Sequence, residues 1–163
     1  MGMTSAAAGI RALALAMPLV FVLHVAEEAP GFVSWFNSIA SPRINQSMFL
    51  AVNAWALLIT VAVVAVLLVA PGPGSGLVAV AWVGLLMLAN GLFHVVATVV
   101  HARYCPGVVT GLVLYMPFGL AFVRAIKREY ELSIASVIVA GVIGAVPMVV
   151  HGYLIVFRSS RLF

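Results

Sequence analysis

His24, Glu27 and Glu28 close a run, Ala12 to Leu23, that is otherwise fit only for lipid. An imidazole and two carboxylates are costly there, because ionisable groups within a membrane are rare, face the protein interior and mark function by default. Two of the four acidic residues in the chain lie in this cluster, and the remaining histidines are His94, His101 and His151. These residue types support three kinds of chemistry. Imidazole nitrogen and carboxylate oxygen bind zinc or iron directly, and the metal's charge keeps the carboxylates ionised. A metal-free Glu–His pair can act as general base on water. A succession of such groups can also relay protons or ions across a bilayer. The alternative is structural, with interhelical hydrogen bonds that only lock the bundle.

The elements that position these residues follow from composition. The chain has 163 residues, of which 65% are hydrophobic and 7% charged, and its mean hydropathy is +1.25. A soluble domain of this size could not hide so much apolar surface. The apolar runs are continuous rather than alternating, which excludes a β-barrel and leaves an all-α, polytopic membrane bundle. The net charge of +4 comes from Arg and Lys at segment ends. That pattern serves topology and lipid headgroups and not nucleic-acid binding. A single cysteine, Cys105, excludes an intrachain disulfide and a multi-cysteine zinc site. Residues 1–29 imitate a signal peptide, but such peptides have a shorter apolar region and no His-plus-carboxylate cluster. The Ala/Val/Gly-rich usage points to a bacterial source, and hence to the inner membrane.

A spanning helix needs about 20 apolar residues. Five segments meet that length, at about 7–29, 48–70, 77–103, 106–124 and 132–157, within one integral membrane domain covering 1–163. An amphiphilic connection, Gly31 to Ser47, carries Phe32, Trp35 and Phe36, which suit the headgroup interface. Residues 71–76 read as a tight turn, and Lys127, Arg128, Glu129 and Glu131 as a charged hinge. Five spans place the termini on opposite sides. Arg11, Arg124, Lys127 and Arg128 fall on the N-terminal side, and Arg43, Arg103, Arg158 and Arg161 on the other. The positive charges are balanced and leave the orientation open.

Placed by depth, the first, third and fifth segments run in parallel and bring His24, Glu27, Glu28, Asn90, His94, His101 and His151 into one leaflet. Asn53 and Thr110, early in the second and fourth segments, lie at the same level. At about 100° per residue, Glu27 and Glu28 flank His24 within about 100°, and Asn90, His94 and His101 share an arc of about 40°. His94 and His101 are roughly 10 Å apart along the axis, too far for one ion. The proposed ligands are His24, Glu27, Glu28, His94, His101 and His151, enough for two metals with three protein ligands each. Asn90, Asn53 and Thr110 are expected to support them by hydrogen bonds. Glu27 and Glu28 are the candidate bases, and Tyr115 is a candidate proton donor.

His24-Val25-Ala26-Glu27-Glu28 resembles the signature of the HXXEE-domain family, and Asn90-Gly91-Leu92-Phe93-His94 and Tyr104-Cys105-Pro106-Gly107 resemble its secondary motifs. The resemblance implies a small bacterial integral membrane protein, and with it metal binding. A looser similarity is to CAAX-type intramembrane proteases, in which Glu27, Glu28 and His94 would be the matching residues. This chain has Phe32 where those enzymes carry Arg, and Asn90 where they carry Phe.

The expectation is therefore a five-helix membrane metalloenzyme that takes a lipophilic substrate or lipid from the bilayer. The leading chemistry is a di-iron-type oxidoreductase. A hydrolase with zinc or with no metal is the alternative, and a small transporter or metal carrier is a third.

Overall fold

The computed structural model describes residues 5–160, so Arg161 lies outside the described residues. The helices are α1 (Ser5–Glu28), a short α2 (Phe32–Asn37), α3 (Gln46–Val69), α4 (Pro73–Val100), α5 (Val108–Glu129) and α6 (Ile134–Arg158). No strand occurs among the described residues. All but α2 are long and apolar enough to cross a membrane, so the protein is a polytopic helical bundle.

Helix ends follow local chemistry. The Asn45 side chain accepts from Met48 N at 2.8 Å and starts α3, and Ser133 accepts from Ser136 N at 3.0 Å and starts α6. The third span begins at Pro73, inside the expected turn. Proline suits a first helical position, where its missing N–H costs nothing, and the Ser75 hydroxyl accepts from Gly72 N at 3.1 Å. The fourth span runs on to Glu129, so Lys127 and Arg128 lie in its last turn and not in a hinge. Positive charge there complements the carbonyl end of the helix.

Helices α1, α3, α4 and α5 close into a ring: α1 packs on α3 and α5, and α4 packs on α3 and α5. Helix α6 lies outside that ring and packs mainly on α4. Its apolar face therefore looks outward, with Ile138, Val142, Ile143 and Val146 all exposed to the surroundings of the protein. Inside the ring, the Thr60 hydroxyl bonds Ala56 O at 2.7 Å and accepts from Trp82 Nε1 at 3.0 Å, so a fully buried polar group is satisfied.

Two departures from ideal helix bear on the site. Residues Gly84–Ala89 of α4 and Gly111–Tyr115 of α5 form wide π turns. The second turn runs directly into Met116 and Pro117. Proline cannot donate to the carbonyl four residues back, and a wider turn accommodates that gap. The connection after α1 also differs from expectation. Trp35 and Phe36 are 2% and 3% exposed and pack with Phe93, Cys105 and Ile155, so they serve an interior cluster rather than the headgroup zone. Protein surface outcompetes the interface here because α2 folds back beneath α4 and α6.

The α4–α6 contact depends on absent side chains. A Cβ on Gly144 would lie 1.9 Å from Ala81 O, and one on Gly84 would lie 2.6 Å from Gly141 O, whereas Gly141 has open space. Gly144→Ala should therefore destabilise the bundle by about 1–3 kcal/mol, and Gly141→Ala should be tolerated. Thermal unfolding of the two variants in detergent checks the contrast, and equal midpoints would refute this packing.

Candidate metal centre

The end of α1 and the last two turns of α4 bring three donors together. His24, Glu28 and His94 are 2%, 5% and 0% exposed. Glu28 Oε1 lies 3.0 Å from His94 Nε2 and 3.6 Å from His24 Nε2. One donor atom from each residue falls within 4.8 Å of the others. Ligand atoms about 2 Å from a shared ion stand at most about 4 Å apart, a limit that both glutamate–imidazole distances meet. Helical spacing accounts for half of the set, since residues four apart share a face and His24 and Glu28 are so related. The other half comes from α4, which stands across the ring from α1 and sets the two imidazoles edge to face with ring centroids 5.0 Å apart.

Glu27 points elsewhere. Its Oε1 accepts from Tyr104 OH at 2.6 Å and from Gly107 N and Val109 N, both at 3.1 Å. Its Oε2 accepts from Thr110 N at 2.7 Å and Thr110 Oγ1 at 2.5 Å. The first N–H groups of a helix have no partner within it, and the helix dipole favours an anion beside them. Glu27 supplies that anion for α5. Its oxygens are thus spent on the helix start, and it does not join His24, Glu28 and His94 as the sequence suggests. The Tyr104 phenol, outside the spans, is pushed up to about 12, chiefly by its hydrogen bond to Glu27.

The same network assigns the imidazole protons. Thr110 Oγ1 carries one hydrogen. It gives that hydrogen to Glu27 Oε2, so His24 Nδ1, 2.7 Å from the hydroxyl, must donate to it. In the neutral ring the His24 Nε2 then carries no hydrogen, and it faces Glu28. Cys105 does the equivalent for His94. Burial pushes this thiol up, so it stays neutral, and its hydrogen points to Pro106 O. The sulfur then accepts from His94 Nδ1 at 3.3 Å. Neither Nε2 has a hydrogen-bond partner in its buried position. With both rings neutral, two Nε2 lone pairs and a carboxylate oxygen face one another, an arrangement that a cation makes favourable.

Other expected site residues scatter around this centre. Tyr115 stacks on the His24 ring with centroids 4.0 Å apart, and its buried hydroxyl has no hydrogen-bond partner. Asn90, Asn53 and His151 line a cavity that also touches Glu28. Asn53 donates to Phe49 O at 3.0 Å in its own helix. His101 ends the helical part of α4 and meets Trp35 edge to face, with centroids 6.1 Å apart. His101, His151 and Glu27 stand outside the single group of three donors found among the described residues. The six expected ligands therefore divide into three that converge and three that do not.

Sequence reasoning gave Cys105 no part in the site and noticed Gly107 only as part of a motif. Gly107 has φ +102°, and a Cβ there would lie 2.6 Å from His94 Cε1 and 3.0 Å from His24 Cε1. The backbone is packed directly against both imidazoles, which requires glycine. A Cys-Pro-Gly turn before a helix was the visible signal, but nothing in it pointed to α1.

Fold and centre together define an integral membrane protein with a buried two-histidine, one-carboxylate cluster. Residues 15–122 match the family described as "protein of unknown function with HXXEE motif", and the chain belongs to that family. No curated protein and no solved structure matches it.

The two adjacent glutamates should respond differently to substitution. Glu27→Ala removes the anchor of α5 and should cost about 2–3 kcal/mol of stability, since hydrogen bonds to charged groups are among the stronger ones. Glu28→Gln keeps shape and removes charge from an apolar interior, so stability should be unchanged or raised. Unfolding in detergent measures both, and the reverse order would contradict the division of roles.

Proposed function

We propose that this protein is a membrane metalloenzyme of a bacterial inner membrane that acts on a lipophilic substrate at one metal ion held by His24, Glu28 and His94. The observation that carries the reading is the convergence of two imidazole nitrogens and one carboxylate, all buried, within 4.8 Å of one another. Thr110 and Cys105 fix the tautomers, as hydrogen-bond partners of ligating histidines do. This refines the six-ligand, two-metal expectation to a mononuclear centre. Two histidines and one carboxylate suit non-haem iron and leave positions open for oxygen or substrate. A bound ion would supply redox or Lewis-acid chemistry, while the chain holds and orients the reacting partners.

The same donors also serve zinc in hydrolases, which commonly use a further carboxylate as base. Glu27 is the nearest in sequence and is committed to α5. The other two acidic residues, Glu129 and Glu131, lie at the far end of that helix. Oxidative chemistry at iron is therefore the preferred reading, and zinc-dependent hydrolysis stands second. Tyr115, against the His24 ring, is placed to hold or move a proton beside the centre in either case.

Elemental analysis of purified protein should find about one iron per chain. His94→Ala should abolish retention while the protein remains folded and extractable. Thr110→Val should weaken binding roughly 10- to 100-fold, whereas His101→Ala should keep the full complement. Two ions per chain would refute the mononuclear centre, zinc alone would move the chemistry to hydrolysis, and a metal-free parent protein would defeat the proposal.

A further inference from the structure

Three arginines far apart in sequence gather around one loop. The loop after α2 is tied to the end of α6 by Ser41 N, which donates to Ser159 O at 2.9 Å. It is tied to the segment after α4 by Arg103 Nη1, which donates to Ser38 Oγ at 3.1 Å. Arg43 lies two residues beyond Ser41, and Arg158 directly precedes Ser159. All three arginines are exposed.

Their charge is not answered locally. None of the three pairs with a carboxylate among the described residues. Glu28 faces the imidazoles, Glu27 is held by the start of α5, and Glu129 and Glu131 lie at the far end of that helix. Guanidinium groups suit phosphate, which they hold through paired N–H donors.

Beneath this cluster an apolar groove runs between α4 and α6. It holds about 210 Å³, and Leu92, Phe93 and Val96 of α4 face Met148, Tyr153 and Phe157 of α6 across it. The Tyr153 hydroxyl is the one polar side-chain group among its lining residues. Leu92, Val149, Tyr153 and Phe157 are all exposed, so the groove opens to the outside of the bundle.

Groove and arginines also match in depth. Helix α6 has 25 residues and is about 38 Å long, against a hydrocarbon core of about 30 Å, so Arg158 at its end stands among the headgroups. From Met148 to Phe157 the groove follows α6 for about 14 Å, close to the depth of one leaflet, and it stops one residue short of Arg158. A free phosphate has no use for the groove, and a neutral chain has none for the arginines. A zwitterionic lipid brings its own cation to the phosphate. An anionic phospholipid satisfies both halves.

We propose that this face holds one anionic phospholipid, with its phosphate on Arg43, Arg103 and Arg158 and an acyl chain in the groove between α4 and α6. The site is separate from the metal centre, and its occupancy needs no metal. Phe93 and Met148 line both the groove and the cavity that touches Glu28, so the bound chain backs the wall of that cavity.

The test uses full-length protein in phosphatidylcholine nanodiscs. Two probes carry the same photoreactive diazirine in one acyl chain, one with a phosphatidylglycerol and one with a phosphatidylcholine headgroup. Labelled residues are mapped by mass spectrometry. The phosphatidylglycerol probe should label Leu92, Val149 or Tyr153 roughly tenfold more than its zwitterionic twin. Combining Arg43→Gln with Arg158→Gln should erase that preference, since each basic residue near the surface strengthens binding of an anionic lipid about fivefold. Arg128→Gln, at the opposite end of the bundle, should leave it unchanged. Val149→Trp, on the rim of the groove and away from the arginines, should suppress label on Leu92 and Tyr153. All four positions are exposed, so the variants should fold. Equal labelling by the two probes, label spread over outward residues such as Leu58 and Ile59, or a preference that survives the double arginine variant would overturn the proposal. Displacement of the probe by soluble glycerol phosphate would assign the arginines to a free phosphate and overturn it as well.

Discussion

The Glu27 carboxylate at the start of α5 is the interaction on which the site depends. Glu27 ends α1, and the N–H groups of Gly107, Val109 and Thr110 open α5. These donors have no partner in their own helix and no water to turn to inside a bilayer. Their demand for an acceptor draws the end of one span to the beginning of another. Once that contact forms, Thr110 lies against His24 and Gly107 lies against both imidazoles. The residue that looked like a second ligand is the one that puts the true cluster in place.

Around this clamp the protein separates two duties that adjacent carboxylates could otherwise share. Glu27 is half-buried and spends its charge on helix dipoles and hydroxyls. Glu28, one residue on and about 100° around the helix, is turned inward to two imidazoles. Two charges side by side in a low-dielectric interior would repel each other. Giving one to a helix start and turning the other toward two imidazoles relieves that repulsion. The wide turn before Pro117 adds to the arrangement, because it sets Tyr115 flat on His24.

The cavity shows why the site lies where it does in the bundle. A closed ring of α1, α3, α4 and α5 would bury the cluster beyond reach. Helix α6 packs on the outside of α4, and the gap it leaves beside α3 gives the ring a side opening. Helix α2 then covers one end of the bundle with the buried Trp35 and Phe36.

Composition and pattern alone determined the five spans, because unbroken apolar runs of about 20 residues have one cheap solution in a bilayer. They also pointed to the level of the site, since three spans running in the same direction place His24, Glu28, His94 and His151 in their second halves. Helical phase even paired His24 with Glu28. What phase cannot give is which helix neighbours which, and only packing decided that His94 would meet Glu28 while His101 met Trp35. Glu27 and Glu28 were indistinguishable by residue type and differ because one faces a helix start and the other a helix side. The roles of Cys105 and Gly107 were equally hidden, for they arise from a loop folding back on His94 and, some 80 positions earlier, on α1. Depth is a property of one helix in a membrane and can be counted along the chain. Contact is a property of two helices and exists only once their surfaces have packed.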